Sequence, residues 1–407
     1  MPGPLSHIRV LDLSRVLAGP WAGQTLADLG AEVIKVERPG IGDDTRGWGP
    51  PFLADQEGRP TSDAAYFLAA NRGKKSVTID FTRPEGQELV RRLAADCDIV
   101  LENFKVGGLA KYGLDYPSLR AINPGIIYCS ITGFGQTGPY RNRAGYDFLI
   151  QGMGGLMSVT GEPDGEPGGG PVKVGVAIVD IFTGMYAATS VLAALANRER
   201  TGEGEYIDLS LLDVQVATLA NQATNYLVSG TSPQRLGNAH PNIVPYQALA
   251  TGDGYIILAV GNDGQFARFC AVAGCPELAD DERYRTNADR VRNRAELLPV
   301  LKDLLSGRTS AVWIHELEMA GVPCGPINTI AEVFDNPQVQ SRNMRVSVPH
   351  TTAGSTPLVG SPMKFSRNAL NDCQAPPLLG EHNVDVLAGM LKLRPEELEL
   401  LRDAAII

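Results

Sequence analysis

I-R-V-L-D-L (residues 8–13), A-G-P-W-A-G-Q-T-L-A-D-L-G (18–30) and A-E-V-I-K-V-E (31–37) read as strand, helix and strand. The outer segments are rich in β-formers, and the middle one has helical apolar spacing closed by Gly30. The pattern returns downstream: residues 76–81 read as a strand, 82–95 as a helix opened by T-R-P-E, and 98–103 as a strand. A further buried strand is expected in G-I-I-Y-C-S-I-T (125–132). Alternating strands and helices predict a mostly parallel sheet covered on both faces, the doubly wound α/β architecture.

Further along, residues 180–198 predict a long apolar helix rich in small residues, followed by a short strand (206–208) and another helix (209–223). The Gly/Ser-containing stretch 230–237 breaks this pattern. G-D-G-Y-I-I-L-A-V (252–260) then opens a new β-containing region, with charged helices to about residue 321. A chain of 407 residues exceeds one typical core, so a second, smaller domain is expected over 226–325. Beyond residue 326 come strand and loop signals and a final helix at 395–405.

Composition excludes several classes. With 43% apolar and 20% charged residues, the chain is expected to fold throughout. A net charge of -10 argues against nucleic acid as a partner. Cysteines 97, 129, 270, 275, 324 and 373 form no C-x-x-C pair, so reduced thiols are expected and neither a disulfide framework nor a zinc site. The five histidines lack H-x-x-x-H or H-E-x-x-H spacing, and no metal is expected. The N-terminus has no signal-peptide character, and no unbroken apolar stretch approaches the ~20 residues of a membrane span. A cytoplasmic protein without a membrane partner is the expectation.

Positive side chains collect in the N-terminal half: Arg38, Arg46, the run Arg72-Gly73-Lys74-Lys75, Lys111, Arg141 and Arg143. Most lie just before or just after predicted strands, where an open α/β sheet binds ligands, so they are candidate phosphate contacts; the alternative is solvated surface charge. Neither G-x-x-x-x-G-K-[ST] nor a G-x-G-x-x-G after the first strand is present, which removes support for a P-loop enzyme or a plain dehydrogenase. V-K-V-G-V-A-I-V-D (172–180) ends an apolar, β-branched stretch on Asp180 and leads into I-F-T-G-M. Two readings of Asp180 stand side by side: a helix N-cap, or a nucleophile kept ionised by the helix dipole.

The chain resembles the family III CoA-transferases, the CaiB/BaiF family, over essentially its whole length. The resemblance is carried by V-L-D-L-S-R-V-L-A-G-P (10–20), G-A-E-V-I-K-V-E-R-P-G-I-G-D (30–43), N-R-G-K-K-S (71–76), E-N-F (102–104), G-V-A-I-V-D (175–180), S-L-L-D (210–213), G-V-P-C-G-P (321–326) and P-L-L-G-E-H (377–382). It implies a Rossmann-like large domain (1–225 with a return at 326–407), a smaller α+β domain (226–325), and two chains interlocked as rings. It further implies that Asp180 is the catalytic aspartate, that CoA esters are substrates rather than resident cofactors, and that Val16, Leu17, Arg38, Arg72, Lys74, Lys75, Asn103, Phe104, Lys111 and Arg143 lie in or near CoA-contacting segments.

Subfamily features are also similar in part. Transferases acting on formate and oxalate carry glutamine where this chain has Leu17, and glycines where it has His240-Pro241-Asn242. The α-methylacyl-CoA racemases carry a histidine where this chain has Tyr146, and a phenol is a poor base at neutral pH. G-N-A-H-P-N-I-V-P-Y-Q (237–247) and G-D-G-Y-I-I-L-A-V-G-N-D-G-Q-F (252–266) resemble the branch moving CoA from succinyl-CoA to glutarate and related dicarboxylates. On that basis His240, or Arg235 nearby, is a candidate for a distal carboxylate, and the backbone near Gly261 or Gly264 for an oxyanion.

Overall fold

The computed structural model describes residues 3–367 and 374–407. Cys97, Cys129, Cys270, Cys275 and Cys324 are free thiols, and Cys373 lies outside the described residues. Two compact units emerge: Met1–Gly155 with Val174–Ala223 and Pro337–Ile407, and Leu156–Lys173 with Thr224–Asn336. Residues 156–173, expected within the large domain, cluster instead with the second unit. The reason is local bonding: Gly237 N donates to Gly161 O, and Arg235 pairs with Asp164.

The first unit is built on six strands, Arg9–Asp12, Glu32–Glu37, Lys74–Thr78, Ile99–Glu102, Ile127–Thr132 and Glu205–Ser210. All neighbours are parallel. Numbered along the chain, their order across the sheet is 3-2-1-4-5-6. Strand order therefore reverses between the first and fourth strands, and ligands of such sheets bind outside the carboxyl ends at that reversal.

Alternate residues of each strand feed two cores. Leu11, Ile34, Val77 and Val100 face one way, joined by Val386, Leu387 and Leu398 from the C-terminal segment. Val10, Val33, Ile99 and Ile127 face the helices Ala18–Asp28 and Ile178–Thr201 on the other side. Burying each such side chain contributes about 1.5–3 kcal/mol, which is why the strands read as near-continuous apolar runs.

The helix Ile178–Thr201 has 24 residues and is, by length and composition, apolar enough to cross a membrane. A long apolar helix was expected over 180–198; it starts at Ile178 and ends at Thr201. Val179, Ala187, Val191 and Leu195 are packed into the core, so one face behaves as a core helix. Phe182, Met185 and Tyr186 on the other side remain 41%, 40% and 44% exposed.

In the second unit, antiparallel strands Cys324–Pro326, Tyr255–Ala259 and Tyr246–Ala250 pack against helices that include Asp263–Val272, Arg294–Ser306 and Ser310–Met319. Their core holds Phe266, Phe269, Leu297, Leu301 and Trp313.

Candidate active site

A cleft of about 710 Å³ opens in the first unit along the carboxyl ends of the sheet strands. The loop after the first strand contributes Arg15, Val16 and Leu17; the second strand is followed by Arg38, the fourth by Asn103 and Phe104. Lys111, Arg141, Arg143, Tyr146 and Asp180 complete the part of the lining used below. Its size suits a large organic ligand.

The two loops at the strand-order reversal are tied together. Asn103 accepts from Arg15 N through Oδ1 (2.9 Å) and donates to Arg15 O through Nδ2 (2.7 Å), so its amide is engaged by the protein. Phe104 N donates to Glu102 (2.7 Å), and Arg15 lies over the Phe104 ring at 5.3 Å. Burial pushes the Glu102 carboxyl up to about 7. Val16 adopts φ 72°, a left-handed conformation that a β-branched residue takes only under strain worth about 1–3 kcal/mol. Its N–H is held by the Asp43 carboxylate at 3.3 Å.

Asp180 is not the N-cap of its helix. The helix starts at Ile178 with Ala177 as a cap that makes no side-chain bond, so Asp180 is the third helical residue. Asp147 supplies the cap from another helix: its Oδ1 accepts from Val179 N (2.9 Å) and its Oδ2 from Gln151 Nε2 (2.7 Å). Gln151 Oε1 in turn accepts from Val174 N (2.9 Å), anchoring the segment that leads into Asp180. Sequence reasoning missed Asp147 and Gln151; their i,i+4 spacing in D-F-L-I-Q was the available signal.

No hydrogen bond or ion pair engages the Asp180 carboxylate among the described residues. Burial, and secondarily the charge of Asp147, push it up to about 7. Asp180 thus stands in the first helical turn, where the dipole favours the charged form, while desolvation opposes it. The Tyr66 phenol is raised by burial and then by the charges of Asp180, Asp147 and Asp43.

The basic candidates separate into two sets. Arg38, Lys111, Arg141 and Arg143 line the cleft, are exposed, and have no carboxylate partner among the described residues. Lys111 rests over Tyr112 (4.6 Å), and Arg143 over Tyr140 (4.6 Å) and Phe134 (5.3 Å), which orients each cation; Arg143 Nη2 also donates to Met153 Sδ (3.9 Å).

Arg72, Lys74 and Lys75 do not line the cleft. They precede or begin the third strand and so stand at the amino edge of the sheet, opposite the ligand crevice. Arg72 pairs with Asp28, and Lys75 with Glu32 (2.9 Å) and Asp385 (2.8 Å). Lys74 is fully buried, donating to Asp12 (2.9 Å), Pro20 O (2.8 Å) and Asn71 (2.9 Å). A Cβ on Gly23 would stand 2.8 Å from Asp12 Oδ2 and 3.2 Å from Lys74 Nζ, so glycine there makes room for the pair. Arg46 is likewise buried against Glu37 and Asp63.

His240 and Gly261 belong to the second unit. Gly261 N–H already donates to Gln265 Oε1 at 2.7 Å, so it is not a free oxyanion donor. Arg235 pairs with Asp164 and donates to Glu162 O, leaving it engaged as well.

Residues 5–383 match the family model for CoA-transferase family III. The chain belongs to CoA-transferase family III. Within this family it is 55% identical, over 95% of both chains, to the succinate–glutarate CoA-transferase of Agrobacterium fabrum. It is 43% identical to the succinyl-CoA:glutarate CoA-transferase of Homo sapiens, over 99% of this chain and 90% of that one. Among solved structures it resembles a CaiB/BaiF family protein from Brucella suis, with a TM-score of 0.83 and 54% identity over 96% of this chain and 100% of that one. Family III membership makes CoA esters the substrates for which the cleft geometry must account.

Proposed function

We propose that this chain moves CoA from succinyl-CoA to glutarate, or a dicarboxylate of similar length, through a covalent intermediate on Asp180. The observation that carries the reading is the Asp180 carboxylate, which has no ion-pair partner among the described residues, in a cleft where Arg38, Lys111, Arg141 and Arg143 also lack a carboxylate partner. The names of the relatives supply the substrate class.

In this reading an Asp180 oxygen attacks the succinyl thioester carbonyl, the C–S bond breaks, and a mixed anhydride and CoA thiolate result. Thiolate then attacks the aspartyl carbonyl, succinate leaves, and aspartyl-CoA remains. Acceptor carboxylate attacks that thioester to give a new anhydride and thiolate. The thiolate finally takes the acceptor acyl group and returns Asp180 as carboxylate. No proton is gained or lost, and no resident cofactor is required. Desolvation makes Asp180 a stronger nucleophile once ionised. Arg38, Lys111, Arg141 and Arg143 are the cations open to CoA phosphates.

Tyr146 lines the cleft, and none of the five histidines does, so the geometry offers no imidazole for α-proton exchange. The open apolar strip of Phe182, Met185 and Tyr186 supports a homodimer, because a second copy would remove it from water. Light scattering reads that state directly. Incubation with succinyl-CoA followed by hydroxylamine should leave a hydroxamate on the peptide carrying Asp180. Asp180→Ala should lose both the adduct and transfer by at least ~10³-fold; a folded variant with near wild-type turnover would sink the mechanism.

A further inference from the structure

At the carboxyl ends of three neighbouring strands, register sets Glu102 beside Ser130 and Ser130 beside Asp208. Two residues earlier the same row is Val100, Tyr128 and Tyr206, which pack in the core of that face. Strand side chains repeat their facing every second residue, so the polar row continues the apolar one. Glu102 is 6% exposed, Ser130 is fully buried, and no cation pairs with Glu102 among the described residues. Burying a carboxyl without a counter-ion is costly, so the partners of its oxygens show what it holds.

Those partners lead to two loops of the cleft, both in the first unit. Glu102 Oε2 accepts from Phe104 N (2.7 Å), and the carboxyl also accepts from the Ser130 hydroxyl. Ser130 Oγ in turn accepts from Gln136 Nε2 (2.8 Å), and Gln136 N donates to Asp208 Oδ2 (3.1 Å). Phe104 follows the fourth strand and lines the cleft; Gln136 follows the fifth, in the loop that continues to Arg141 and Arg143. The row fastens both loops to the sheet. Glu102, Ser130 and Gln136 do not themselves line the cleft, so any effect they have on a ligand passes through the loops.

We propose that Glu102 is a positioning residue for CoA esters: through Phe104 N–H on one side, and Ser130 and Gln136 on the other, it holds the loops where Phe104, Arg141 and Arg143 can meet one ligand. An ionised carboxylate serves this best, since it accepts from both donors at once and its hydrogen bonds are stronger than neutral ones. Burial raises Glu102 to about 7 against the pull of those two bonds, so at pH 8 the carboxylate form prevails. The inference rests on CoA esters occupying the cleft and names the group that shapes it.

Glu102→Gln tests it, because the amide keeps the size of the side chain but leaves one acceptor oxygen for two donors. At pH 8, titration calorimetry with free CoA should show binding about 10-fold weaker, the loss of one charge-assisted bond. In steady-state transfer KM for succinyl-CoA should rise by a similar factor, with KM for glutarate and kcat unchanged. Amide hydrogen exchange should quicken at Phe104 and Gln136 and stay as in the wild type at Val100 and Tyr128. Ser130→Ala, which cuts the Gln136 arm and leaves Glu102 on Phe104, should quicken exchange at Gln136 and weaken CoA about 3-fold. Unchanged CoA affinity in both variants overturns the proposal. So does a Glu102→Gln variant in which kcat and both KM values worsen together and exchange quickens along the whole sheet, for that is lost stability and not lost placement. Wild-type protein that binds no CoA would overturn the CoA reading of the cleft, whereas faster exchange confined to Phe104 and Gln136 would still assign Glu102 the placement of the loops.

Discussion

In the buried interior of the first unit and on the exposed lining of its cleft, the same residue types meet opposite fates. Among the buried side chains Lys74 pairs with Asp12, Lys35 with Asp43, and Arg46 with Glu37 and Asp63. In the cleft, Arg38, Lys111, Arg141 and Arg143 have no carboxylate, and Asp180 has no cation. Paired charges hold the loops in place, and unpaired ones remain available to a charged substrate. Basic character alone therefore does not leave a side chain free for a charged ligand; the absence of an internal partner does.

The sharpest way to break this contrast is Lys74→Met. Burial, reinforced by the like charge of Lys35 and only partly opposed by Asp12, lowers Lys74 to about 8, while Lys74 and Lys35 overcome the burial of Asp12 and hold it below its ordinary range. Removing Lys74 strands Asp12, and a loss of about 3–5 kcal/mol is expected in urea unfolding. Lys74→Met with Asp12→Leu should recover much of it. A phosphate-binding Lys74 would instead change KM with stability intact.

Asp180 provides the next test, as the carboxylate without a counter-ion. Its folded value near 7 exceeds the unfolded 3.8, so the native state holds its proton more tightly. As pH rises from about 4 to 7 the unfolded chain ionises first and stability falls; above 7 the cost is fully present. Asp180→Asn removes that cost, so its stability advantage should grow from pH 5 to pH 8 and then level off, at most ~4 kcal/mol. An advantage independent of pH would contradict the raised value. In the same window, acylation of wild-type Asp180 should rise with pH through about 7.

Smaller still is the effect expected at the rim. Arg38→Ala, Lys111→Ala or Arg143→Ala should each raise KM for CoA esters about 10-fold, the equivalent of ~1.4 kcal/mol, with unfolding changed by less than ~0.5 kcal/mol. Added salt should weaken wild-type binding and do so less in the variants. Lys75→Ala completes the series: its exposed pairs with Glu32 and Asp385 are worth about 0–1 kcal/mol, and KM should not move.

From the sequence by itself came the alternating elements of the parallel sheet, the second β-containing region, the family resemblance and the choice of Asp180. These are local: they depend on apolar period, capping and motif order, all written in consecutive residues. The third strand shows where that reading ends. Expected at 76–81, it begins at Lys74, which makes this lysine part of the sheet rather than of a preceding loop. Arg72 and Lys75 stand at the amino edge, and that distinction needs the strand direction. Only the tertiary structure decided which charges are paired, because the partners are remote in sequence: Lys74 meets Asp12 62 positions away, and Lys75 meets Asp385 310 positions away. A side chain's charge is local, but its desolvation and its counter-ion are set by what folds against it, and those two terms separate a structural ion pair from a binding site.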